Sequence, residues 1–184
     1  MALDTLAALN KHKASPFPDG YDPNVRTFYS PVDDVSGALT DTIGAATTSV
    51  VVAMYGYDDA KLNSILLDKL QSDHIYVQLS LDSTQESGKV ETSLVEIWHN
   101  DGIGNSIAIG HSEKDAIMHL KMVIIDGLDV ITGSTNWSTS GESKQDNQMT
   151  VYRNALMAAE ARARLDIIHD DMLKQMAAKA AKTP

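Results

Sequence analysis

The chain predicts an α/β fold in which a mixed sheet is flanked by layers of helices. Three observations predict it. Apolar runs of strand length recur through the 184 residues, and segments with apolar residues every three or four positions separate them. Late in the chain, two β-branched runs meet at Asp126-Gly127, which adds antiparallel strands to those expected from the β-α alternation. The length suits one domain with a sizeable core, and 43% hydrophobic with 22% charged residues is ordinary for a globular protein.

Residues 3–12 predict a short helix. Ser15 to Gly20, with Pro16 and Pro18, and then Asp22-Pro23 read as extended chain rather than core. Residues 1–24 are therefore expected to be an extension and linker, residues 25–178 the domain, and residues 179–184 a tail. Val25–Ser30 reads as a strand. Asp33 or Asp34 can cap the next helix, whose apolar face is Val35, Ala38, Leu39, Ile43 and Ala46. Ser49–Tyr55 is nearly continuous in apolar residues, the pattern of a strand buried on both faces. Asp58 or Asp59 opens a helix with Leu62, Ile65, Leu66 and Leu70 on one side, and a strand over Ile75–Leu81 follows.

Asp82–Lys89 is polar and sits past the carboxyl end of that strand, where open α/β sheets bind ligands, so Lys89 is a candidate substrate contact. A helix over 90–100 and a strand over Ser106–Gly110 come next. Met118–Ile125 and Asp129–Thr132 predict a hairpin about the Asp126-Gly127 turn, and Asn147–Arg153 predicts a last strand. The helix expected over 155–178 lines up Ala161, Leu165, Ile168, Met172 and Met176, a core-packing face.

With no cysteine, disulfides and thiolate metal sites are excluded. No His-x-x-x-His pair or comparable ligand set suggests zinc, and neither a metal nor another cofactor is expected. No apolar run approaches the roughly 20 residues that span a bilayer. Met1–Asn10 does not read as a secretory signal, so the cytoplasm is the expected location. The net charge of −10 argues against tight non-specific binding to duplex nucleic acid. It does not exclude a locally positive site.

The chemistry concentrates in His119-x-Lys121-x4-Asp126-Gly127 followed by Gly133-Ser134-x-Asn136. Seven fixed positions, at about one in twenty each, arise by chance about once in 10^9 trials. On one strand His119 and Lys121 leave the same face and can address one phosphate together. Histidine titrates near neutrality and can act as nucleophile or proton donor. The ammonium stabilises charge on the non-bridging oxygens, with Ser134 and Asn136 as neutral donors. Nothing in this set needs a metal, so activity should survive chelation. Asp126, seven residues from His119, has the opposite face parity and lies roughly 23 Å along the strand, so its expected work is stabilising the turn with Gly127. Trp137 can stack on a base, line a lipid channel or pack under the hairpin. His12, His74, His99 and His169 are expected to be exposed, and His111 lies in a polar loop that leads to the motif.

These motifs resemble those of the phospholipase D superfamily, and the order of elements over residues 25 to 175 resembles one domain of it. The resemblance implies a phospholipase D-like layered sandwich and phosphodiester chemistry through a covalent phosphohistidine. The motif occurs once, as in the small bacterial endonucleases of the superfamily, which implies a homodimer with its two-fold axis through a shared site. Nucleic acid is then the expected substrate, with phospholipid hydrolysis or transphosphatidylation, or a non-catalytic nucleic-acid-binding protein of the same fold, as the alternatives; stable membrane association is not expected. Family nucleases carry an acidic residue before an asparagine shortly after the second motif. Asp146-Asn147 occupies that place, with Asp for the usual Glu and a loop one residue shorter. Asp146 is thus the candidate to orient the imidazole, with Glu142 as the fallback.

Overall fold

A computed structural model describes residues 3–71, 75–85 and 107–182. The strands are β1 (Val25–Ser30), β2 (Ser49–Met54), β3 (Tyr57–Asp58), β4 (Tyr76–Asp82), β5 (Ile107–Gly110), β6 (Lys121–Ile125), β7 (Asp129–Gly133), β8 (Trp137–Ser138) and β9 (Asn147–Arg153). The helices are α1 (Val35–Gly44), α2 (Ala60–Leu70), α3 (Thr139–Ser143) and α4 (Ala155–Ala180), with a 3-10 turn over Leu6–His12. Seven strands form one sheet in the order β1-β9-β7-β6-β2-β4-β5. β2, β4 and β5 run parallel, whereas β6, β7, β9 and β1 pair antiparallel. The fold is the expected mixed sheet between helical layers.

Alternation along the strands creates two cores. Val50, Val52 and Met54 of β2 face α1 and α2, which contribute Leu39, Ile43, Leu62 and Leu66. Val51 and Ala53 face α4, which contributes Ala161, Leu165, Ile168 and Met172. Each such large aliphatic side chain stabilises the fold by roughly 1.5–3 kcal/mol when fully buried. The caps were also legible. Asp34 accepts from Gly37 N–H and Asp59 from Lys61 and Leu62 N–H, whereas the Asn154 cap that starts α4 in the same way was not read from the sequence.

Several expectations change. β6 starts at Lys121, not Met118. Met118 N–H donates to the Asp82 carboxylate, and Tyr55 N–H donates to Leu120 O, so the chain before Lys121 leaves the sheet ladder. Asp82, read as the start of a loop, is instead the buried last residue of β4 and also accepts from Thr84. His169 is not exposed: the far side of β4 is polar, and Ser80 there hydrogen-bonds the His169 ring at 3.0 Å within the α4 interface. His12 is not exposed either, since its imidazole bridges Asp34 and Asp41, each at 2.8 Å. Leu6 and Leu9 are buried in the α1 core, and Phe17 packs on Phe28, so the N-terminal segment lies on the sheet layer. The readings of His74, His99, Lys89, the 90–100 helix and the strand start at Ser106 fall outside the described residues.

Candidate active site

The parallel strands direct their carboxyl ends to one edge of the sheet. β6 and β9 begin at that edge and β7 ends there. Register fixes the neighbours: Lys121 pairs with Met54, and Gly133 with Met149. The polypeptide just beyond each strand end therefore converges. His119 and Leu120 meet Tyr55, Ser134 and Thr135 meet Asn147 and Gln148, and Asn136 meets Gly56.

His119 stands exposed, and among the described residues its imidazole makes no hydrogen bond. Its ring meets the Tyr55 ring edge-on, with centroids 4.7 Å apart. Lys121 is 7% exposed, donates to His119 O at 3.0 Å, and holds its ammonium 4.8 Å from the Tyr55 ring centroid. Desolvation lowers the Lys121 pKa. Among the described residues no carboxylate pairs with Lys121. A poorly solvated cation without an acid partner is a ready receptor for an anion. Tyr55 was not foreseen as a site residue. Its signal was its place at the end of the apolar β2 run, which parity alone could not turn into a contact with the motif.

Gly133 is required by close approach: a Cβ there would lie 2.0 Å from Gln148 O, and φ is +156°. That approach lets Ser134 Oγ donate to Asn147 Oδ1 at 2.9 Å and accept from Gln148 N–H at 3.1 Å. Asn136 lies against Gly56, and its buried Oδ1 has no hydrogen-bond partner among the described residues. Trp137 is 1% exposed and packs on Tyr57 at 5.6 Å, which corrects the expectation of a substrate contact, because its ring faces no solvent.

Asp126 sits at the opposite end of β6 from His119. Its carboxylate accepts from Thr47, Thr48 and Ser49 N–H and from both threonine hydroxyls, and its φ of +53° with +63° at Gly127 forms the turn. Burial raises its pKa, but the Ser49, Thr48 and Thr47 N–H donors outweigh burial and hold it below the usual carboxylate range. Asp146 is exposed before β9, and no hydrogen bond joins it to His119. Glu142, by contrast, is buried on α3, not solvated. Burial first, and then the Asp59 carboxylate, push its pKa up to about 8 against an opposing hydrogen bond from Ser36.

Beside His119 an open groove of about 240 Å³ runs between the loop after β5 and α4. His111, Ile117, Met118, Arg164 and Ile168 are among the residues that line it. The sequence marked α4 as core only, and Arg164 lies outside its apolar stripe.

Residues 39–169 match the family model described as cardiolipin synthase, PLD-like domain. A protein named phospholipase D from Rickettsia bellii is 27% identical over 134 residues, which are 73% of this chain and 63% of that protein. A mitochondrial cardiolipin hydrolase from Chlamydomonas reinhardtii is 22% identical over 77% of this chain and 60% of its own length. The chain thus spans less than two thirds of these curated relatives. Among solved structures, the phospholipase D family member Nuc from Salmonella typhimurium superposes with a TM-score of 0.64 at 21% identity, over 82% of this chain and 94% of that one. NucT from Helicobacter pylori gives 0.62 at 20% identity, over 82% and 95%.

Proposed function

Because this chain belongs to the cardiolipin synthase, PLD-like domain family, we propose that it is a metal-independent phosphodiesterase that cleaves nucleic acid through a phosphohistidine. The observation that carries this reading is the exposed imidazole of His119 beside the buried, acid-free ammonium of Lys121. His119 attacks phosphorus, a bond forms from the ring nitrogen, and the bond to the leaving oxygen breaks. Lys121 stabilises the equatorial oxygens as their charge develops, with Ser134 and Asn136 as further donors. A second histidine protonates the leaving oxygen and then activates the water that frees the phosphate.

The motif supplies one such histidine, so the second comes from another copy of the chain across a two-fold axis. An imidazole with no hydrogen bond among the described residues suits a site that a partner completes. Asp146 is exposed near this edge and can reach an imidazole there. Nucleic acid is favoured over lipid by the single motif in these 184 residues, and the likeness of fold to Nuc and NucT covers 94% and 95% of those chains. No helix among the described residues is long and apolar enough to cross a membrane. Phospholipid hydrolysis is the second reading, favoured by the names of the curated relatives.

The test is hydrolysis of single- and double-stranded DNA and RNA in EDTA by wild type and His119→Ala, with phosphatidylcholine in parallel. Cleavage of nucleic acid by wild type, lost by at least about a hundredfold in a folded His119→Ala protein, is expected. Turnover of phosphatidylcholine alone would transfer the assignment to lipid.

A further inference from the structure

We propose that the groove between α4 and the loop after β5 is the subsite for the nucleobase next to the scissile phosphate, a proposal that rests on the nuclease reading. The groove reaches His119 itself, so whatever fills it is attached to the phosphate that His119 attacks.

The lining decides what that is. Ile117, Met118, Leu120 and Ile168 are its aliphatic lining. The charged groups that alternate with them cancel in pairs: Arg164 binds Glu113 at 2.7 Å, and Asp171 binds Lys174 at 3.1 Å. Among the described residues that line the groove, no lysine or arginine is left without an acid partner to hold a phosphate, so the occupant is a neutral part of the substrate. An acyl chain needs apolar surface on all sides and would strip water from Ser112, His111 and the Arg164–Glu113 pair without replacing its hydrogen bonds. A nucleobase has apolar faces for Ile117 and Ile168 and a polar edge for Ser112, His111 and the ion pair. The planar guanidinium of Arg164, half-exposed and anchored by Glu113, can lie over the base. Exposed ion pairs stabilise a fold little, so binding is the better account of a pair at this rim. Ile117, 46% exposed, is apolar surface left uncovered beside the site.

The experiment compares kcat/KM on an oligonucleotide of the type wild type cleaves best with kcat/KM on the same oligomer carrying abasic residues throughout. The expected wild-type ratio is about tenfold or more, the scale of stacking one base on protein. Ile117→Glu and Arg164→Ala should each bring that ratio toward one, and both alter exposed side chains that the fold does not need. Equal wild-type rates on the two oligomers, or a ratio that neither variant moves, overturns the subsite and leaves the nuclease reading intact. Failure of wild type to cut any oligonucleotide overturns that reading, and the subsite with it.

Discussion

Asp126 and His119 share one motif yet end at opposite ends of β6, so proximity in sequence is a poor guide to shared work. The Asp126 clasp on Thr47, Thr48 and Ser49 joins the β6–β7 turn to the start of β2. Asp126→Asn places an N–H among donors and should cost about 1–2 kcal/mol at pH 7, with kcat nearly unchanged. Its depressed carboxyl contributes stability above the ordinary value of 3.8 that is lost as pH falls through the folded value. Thermal melts at pH 7 and pH 3 check this: the gap between wild type and variant should narrow in acid, and equal catalytic loss in two equally stable proteins would refute it. Tyr55 is the converse case, a residue outside the motif that touches both His119 and Lys121. Tyr55→Leu should lower kcat at least about tenfold with little change in melting temperature, and Tyr55→Phe should restore part of it by returning the ring. A Leu variant with wild-type kcat would mean that the ring contacts position nothing.

Elements whose residues carry their own pattern were legible, and their ends were mostly right. The caps at Asp34 and Asp59 and the apolar β2 run are local signals. What failed was set by contacts distant in sequence. β6 is shortened by Asp82 and Tyr55, and His169 is buried by a polar stripe on β4 that alternation could show only as exposed residues. The two-residue β3–β8 pair and the short α3 have no periodicity to read. Within the site, the motif residues were legible by type, whereas Tyr55 and the groove were not, because they come from β2 and α4. Glu142 ties α3 to the Asp59 cap of α2, next to β8, which directly follows Asn136. Its raised pKa means that the folded state keeps a proton which the unfolded chain releases above about pH 4.5. Stability from this group is therefore full below pH 4.5 and falls as pH rises to about 8. Glu142→Gln should flatten that decline and melt higher than wild type at pH 8, with little difference at pH 5. Parallel melting profiles across this range would contradict the buried, protonated carboxyl.

At the scale of the whole molecule, the proposed function asks an acidic chain of net charge −10 to meet an anionic substrate with a cation placed locally. Lys121 holds its ammonium beside His119, and two copies about a two-fold axis would double that positive field while supplying the second histidine. The shared site is the central claim, and subunit mixing tests it most directly. Wild type is combined with rising amounts of inactive His119→Ala under conditions that allow exchange, and nuclease activity in EDTA is read per wild-type chain. If two histidines from two chains make one site, that specific activity falls in step with the wild-type fraction, because mixed dimers are dead. A specific activity that stays constant at every ratio, or full activity from a monomer by light scattering, contradicts the shared site.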